Sequence, residues 1–360
     1  MRIFILLILF VMSSFAQGYS KPDIERMIAK MVILGFNGEN VSKNSQIYKD
    51  IEAGLGGVIL FDKDPNDKNK VKNIRNKEQL KKLNQDLQAI SKQKLLISID
   101  QEGGVVQRLK TDMGFVNTLK ASEIAQKGEQ FAKNSYQAMA KDLKDVGINV
   151  DFAPVVDLAL NKNNKVIVTR GRSFGESSSE VTKYASIFVD ELKKQNVISV
   201  LKHFPGHGSS LSDSHLGFVD ITKTWTKKEL EPYKYFINNN KVDMIMTAHV
   251  FNENLDKNYP ATLSYNVNTK LLREQLKYDG VLITDDLQMS AISKHYDLKT
   301  TLRLSINSGV NLLLFANQLA KPVTLKEIVD TVYSEILSEN ISLEKIIESN
   351  KKIDKLLNNI

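Results

Sequence analysis

Eight short apolar runs, separated by amphipathic helical stretches, set the layout of this chain. They cover residues 31–36, 57–61, 95–100, 149–153, 199–203, 244–247, 281–285 and 310–315. None alternates strictly between apolar and polar residues. Strands covered on both faces have this character, as in a parallel sheet wrapped by helices. Between them, residues 77–91 carry Leu80, Leu83, Leu87 and Ile90 at helical spacing, and 130–146 and 180–194 behave alike. A further helical segment, 271–276, precedes the seventh run. Residues 324–360 read as polar helices packed on the outside. Regular strand–helix alternation requires crossover units and a parallel sheet. Eight strands favour a closed ring, so the expected fold class is α/β, a single (β/α)8 TIM-type barrel with C-terminal helices. No linker or internal repeat divides the chain. Gly54-Leu55-Gly56-Gly57 precedes a strand, which suits a turn and not a nucleotide-binding loop.

The first residues read differently. Arg2 precedes an apolar run, 3–12, followed by Ser13-Ser14-Phe15-Ala16. A positive start, a short apolar core and small residues describe a secretory signal. The run falls short of the roughly 20 residues of a membrane span. Residues 1–18 are therefore expected to be a signal peptide, with an uncleaved anchor or a buried first strand as the alternatives, and 19–360 the catalytic domain. A periplasmic or secreted location follows. The chain of 360 residues has no Cys, which excludes disulfides, thiolate metal sites and a Cys nucleophile. Its formal charge of +7 is spread along the sequence without a basic stripe interleaved with aromatics, so no nucleic-acid partner is expected. An acidic glycan remains compatible with the charge.

In a barrel, residues at the C-terminal ends of the strands share one mouth. Here these are Asp100, Asp151, Lys202-His203, His249 and Asp285-Asp286. Lys202 inside an apolar strand needs a partner, because an unpaired buried charge is costly. Consecutive strand residues point to opposite faces, so one of Asp285 and Asp286 enters the mouth and the other caps the next segment. A second cluster runs Lys202-His203-Phe204-Pro205-Gly206-His207-Gly208, then Asp213-Ser214-His215. In an extended segment Asp213 and His215 lie on one side, so Asp213 can orient the imidazole as a proton carrier. Metal binding by His203, His207, His215 and Asp213 is the competing use. However, Pro205 and Gly206 break any helix that would align the histidines, so no metal or other cofactor is expected.

Four segments together resemble glycoside hydrolase family 3: Asp100-Gln101-Glu102-Gly103-Gly104, the Lys202–Gly208 stretch, Asp213-Ser214-His215 and Thr284-Asp285-Asp286-Leu287-x-Met289. The Asp-Ser-His element resembles the family's bacterial β-N-acetylglucosaminidase branch. The likeness implies Asp285 as nucleophile and His215 as general acid/base with Asp213 as its partner. It further implies Asp100, Arg108, Arg172, Lys202 and His203 as sugar-binding residues, His249 in support and Met289 near the sugar. The implied activity is retaining hydrolysis of terminal β-linked N-acetylglucosamine from peptidoglycan fragments by a monomer, with phosphorolysis as a subsidiary possibility. A metal-dependent hydrolase and a non-catalytic glycan-binding barrel are the competing readings.

Overall fold

The computed structural model describes residues 18–67, 69–211, 219–318 and 321–358. The expected secretory segment lies outside the described residues except for Gly18. Eight parallel strands form the centre: β1 (Val32–Gly35), β2 (Gly57–Ile59), β3 (Leu96–Ile99), β4 (Val150–Asp151), β5 (Ile198–Phe204), β6 (Met244–Thr247), β7 (Val281–Ile283) and β8 (Leu313–Phe315). Each falls on one of the eight apolar runs. Their order is β7-β6-β5-β4-β3-β2-β1-β8. A single parallel bridge, Ile283 to Leu312, joins the two ends, so the sheet is an almost closed ring. The β1–β8 seam is tight. A Cβ at Gly35 would stand 1.7 Å from the carbonyl oxygen of Ala316, so only glycine admits this approach.

Helices α1 (Lys21–Lys30), α2 (Gln46–Glu52), α3 (Lys77–Ile90), α4 (Glu129–Asp145), α5 (Ser178–Lys194), α6 (Glu231–Asn238), α7 (Leu298–Ser308), α8 (Leu325–Leu337) and α9 (Leu343–Leu357) accompany the ring. Local chemistry sets their starts. Ser20 with Asp23 caps α1 reciprocally, and Thr324 with Glu327 does the same for α8. Neighbouring helices interlock through aromatic rings. Tyr136 of α4 meets Phe188 of α5 edge-on at 4.7 Å between centroids. No helix among the described residues is long and apolar enough to cross a membrane.

One local expectation changes, and one charged stretch is more buried than its composition suggests. The helix before β7 spans Asn266–Gln275 and is wound as a π-helix. It starts upstream of 271 because Asn268 and Thr269 bond into α7 at Ser308, giving polar residues a buried seat. The charge-dense stretch 62–77, which leads into the start of α3 at Lys77, is partly buried. Asp62, Lys72, Asn73 and Ile74 are buried. Lys72 donates to the carbonyl of Asn317 at 2.8 Å and to Gln318, and Asn73 accepts from Phe61 N. The stretch thereby ties the exit of β2 to the exit of β8.

Candidate active site

The parallel strands deliver their C-terminal ends to one rim, and a web of charge begins there. Lys202 on β5 is 2% exposed. Its ammonium donates to Asp100 at 2.8 Å and lies 2.7 Å from Glu102. Glu102 sits in a short hairpin, Gln101–Gly103 against Val106–Gln107, directly after β3. Arg172 reaches it from the β4–α5 connection, donating through Nε and Nη2 at 2.7 Å each. Arg108 approaches Asp100 at 3.7 Å and lies over the Phe61 ring at 5.3 Å. Burial penalises the Glu102 carboxylate, but Arg172 and Lys202 outweigh it and hold the group well below the usual range. Burial likewise opposes the Lys202 ammonium, and Asp100 and Glu102 overcome it and raise its pKa. Three cations and two anions thus meet here, with Lys202, Arg172 and Glu102 buried and Asp100 and Arg108 partly open to solvent.

The acidic pair after β7 divides its roles. Asp286 is buried, and its Oδ1 accepts from Gln288 N at 3.1 Å and Ala316 N at 3.0 Å. It organises the backbone between β7 and the end of β8. Asp285 is partly exposed at the rim, its Oδ1 accepting from Asp286 N at 2.8 Å. His249, after β6, is buried. Its Nε2 donates to the carbonyl of Asp286 at 2.8 Å and its Nδ1 meets Thr262 Oγ1 at 2.8 Å. A carbonyl only accepts, so Nε2 carries the hydrogen. His249 therefore braces the turn that carries Asp285. Met289 is buried at the start of the short helix Ser290–Ser293.

Asp151 does not open to the mouth. It is fully buried, accepts from Gln101 N at 2.9 Å and positions the hairpin from below. Burial pushes its pKa well up. Asp213 and His215 lie outside the described residues. The segment leading towards them is anchored as far as Ser210. Asn164 donates to the carbonyl of His207 at 2.8 Å, Gly208 N donates to Glu229 at 2.9 Å, and Ser209 Oγ donates to the same carboxylate. Asp157 receives His203 Nδ1 at 2.7 Å and His207 N at 2.8 Å. A cleft of about 260 Å³ opens at the opposite rim, where β6 and β7 begin. It is lined by Lys277, Asp279 and Lys352 and includes no candidate site residue.

Residues 24–356 match the model of the glycosyl hydrolase family 3 N terminal domain. The chain belongs to glycosyl hydrolase family 3. Among family 3 relatives, it is 32% identical over 327 residues to beta-hexosaminidase A of Pseudoalteromonas piscicida, covering 84% of this chain and 53% of that protein. It is 33% identical over 270 residues to the beta-hexosaminidase of Haemophilus influenzae, covering 73% of each. Thus it spans about half the length of the first relative and about three quarters of the second. A family 3 beta-N-acetylglucosaminidase from Paenibacillus sp. str. FPU-7 superposes with a TM-score of 0.83 at 32% identity, over 93% of this chain and 62% of that one.

Within this family 3 mouth, Asp100, Arg108, Arg172, Lys202 and His203 join one network, and Asp285 stands on the same rim. Sequence reasoning passed over Glu102, Asp157 and Glu229 as candidates. A signal for Asp157 was present: a carboxylate in the apolar run Ala153-Pro154-Val155-Val156-Asp157-Leu158 requires a buried donor. Glu229 follows Lys227-Lys228 and resembles an ordinary solvated charge run, so only tertiary packing exposes its role.

Proposed function

We propose that this chain is a retaining exo-β-N-acetylglucosaminidase acting on peptidoglycan fragments, with Asp285 as nucleophile and His215 as general acid/base oriented by Asp213. The observation that carries this reading is the division of labour after β7. Asp286 is committed to backbone N–H groups, while Asp285 is partly exposed at the rim that holds Lys202, Arg172 and Asp100. The names of the Paenibacillus and Haemophilus relatives favour the same activity.

The chemistry suits these groups. Lys202, Arg172 and Arg108 donate and Asp100 accepts, which matches the hydroxyls of a terminal sugar. Their mutual pairing fixes them before substrate arrives, which lowers the ordering cost of binding. The Asp285 carboxylate attacks the anomeric carbon as the glycosidic C–O bond breaks, and the leaving oxygen takes a proton from His215. Water then attacks the glycosyl-Asp285 ester and gives its proton to His215, releasing the carboxylate and the sugar. Two inversions leave the anomeric configuration retained. We take residues 19–360 as one catalytic domain acting as a monomer without a cofactor. Residues 1–18 direct it to the periplasm or outside the cell.

Digestion of purified muropeptides, read by mass spectrometry and by NMR of the first anomer released, tests the reading. Loss of one terminal N-acetylglucosamine as the β anomer is expected. Absence of release, or initial release of the α anomer, would contradict it.

A further inference from the structure

His203 is a two-sided residue, and its buried partner dictates which side faces substrate. Asp157 is 1% exposed and lies on the β4–α5 connection. Its Oδ2 lies 2.7 Å from His203 Nδ1, and its Oδ1 accepts from His203 N at 3.3 Å and His207 N at 2.8 Å. Burial opposes the charge on Asp157, but the two imidazoles and the backbone donor prevail and lower its pKa. An ionised carboxylate has no hydrogen to give, so Nδ1 must donate. With a single ring hydrogen, held on Nδ1, Nε2 carries a lone pair. That atom is 3.5 Å from Arg172 Nη2, a group that can only donate. Both neighbours of the ring therefore require the same tautomer.

We propose that Asp157 is a positioning residue that holds His203 in the Nδ1–H form, so that Nε2 accepts a hydrogen bond from one hydroxyl of the terminal sugar. The proposal rests on the glycosidase reading for its substrate. It adds a second acceptor to the mouth beside Asp100. Lys202, Arg172 and Arg108 offer only hydrogens, so a hydroxyl bound there by oxygen alone would tolerate replacement by any acceptor. A lone pair at His203 demands a donor as well. The site then rejects a sugar whose hydroxyl at that position is methylated, acylated or replaced by fluorine, because the acceptor is left unpaired in a buried setting.

Asp157→Asn separates this role from a merely structural one. The amide keeps the shape but supplies two hydrogens. Its oxygen satisfies His203 N and His207 N, and its nitrogen donates to Nδ1, which moves the ring hydrogen to Nε2 and against Arg172. The measurement is 15N NMR of the histidine side chains in the full chain, with His203 assigned by its absence in His203→Gln. It is paired with kcat/KM on an aryl β-N-acetylglucosaminide and its deoxyfluoro analogues. In the native protein Nδ1 should be protonated and Nε2 bare. In D157N the ring should switch to Nε2–H, kcat/KM should fall about 100-fold, and the fluorine penalty at one position should shrink from about tenfold or more towards none.

A native His203 with hydrogen on Nε2 would overturn the proposal, as would equal tolerance of fluorine at every ring position, or a D157N protein of native kcat/KM. If D157N fails to fold, the native spectrum and the analogue series decide alone. Absence of any turnover with the glycoside would count against the proposed activity. The tautomer measurement would still decide what Asp157 does.

Discussion

Glu102 receives Arg172 through both of its carboxylate oxygens at 2.7 Å and, through Oε1, also lies 2.7 Å from Lys202. One carboxylate therefore sets the spacing of Lys202 and Arg172. Replacing Glu102 by Gln removes the charge but keeps most of the shape, and kcat/KM should fall about 10- to 100-fold. Replacing it by Leu leaves two cations short of a counter-charge in a dry site and should cost about 3–5 kcal/mol of stability. Urea denaturation of both variants, beside their kinetics, checks this. Native stability in E102L would show that the pairing does not hold the hairpin.

The two neighbouring aspartates should respond unequally. Asp286 uses Oδ1 for both Gln288 N and Ala316 N, and an asparagine retains that oxygen. D286N should keep activity within about tenfold of native, since the oxygen that accepts both backbone donors is retained. D285N should lose about 10⁴-fold or more, as expected when a nucleophile is removed. Steady-state rates on one aryl glycoside suffice. Equal loss in both variants would remove the distinction on which the mechanism depends.

Two buried carboxyls pull stability in opposite directions with pH. Burial, resisted by the Ser209 and Gly208 donors, pushes Glu229 up to about 8 from an ordinary value of 4.5. Its folded form prefers the proton, so its contribution is full below about pH 4.5 and declines as pH rises through about 8. Glu102 is depressed, so its contribution is present above the ordinary carboxylate pKa and is lost only as pH falls below it. Between pH 5 and 8 Glu102 should add no slope, whereas Glu229 should, on the order of a few kcal/mol at most. E229Q should therefore show a flatter stability profile than the native protein across that window. Parallel profiles would mean that Glu229 is ionised throughout.

Gly208 lies under the connection after β4, where a Cβ would stand 1.7 Å from the carbonyl oxygen of Leu158. Gly208→Ala should displace the anchored stem of the glycine-rich segment and destabilise the protein by about 1–3 kcal/mol. Thermal unfolding measures the loss. A native melting temperature would show that the stem readily relaxes.

The eight strands were legible because each is covered on both faces and reads as an uninterrupted apolar run. Their ends were less so. β7 stops at Ile283, and Thr284 turns its hydroxyl to accept from Leu314 N at 3.0 Å, a side-chain contact that mimics strand pairing. The candidate residues at strand ends were picked out for the same geometric reason, since a polar residue closing an apolar run is expected at the mouth. Asp151 satisfied that rule and still lies below the mouth, fully buried beneath the hairpin whose Gln101 N donates to its Oδ1. Lys72 and Glu229 were hidden by their charged neighbours. Burial of a single charge within a hydrophilic stretch depends on distant partners, here Asn317 and the Gly208–Ser209 backbone and hydroxyl, and local composition carries no trace of them.

The central claim is that Asp285 forms a covalent bond to the sugar. A slow fluorinated N-acetylglucosaminyl donor, followed by proteolysis and peptide mass mapping, tests it most directly. The label should sit on the peptide containing Asp285, disappear in D285N and persist in D286N. A label on any other residue, or steady turnover with no trappable adduct, would contradict the account.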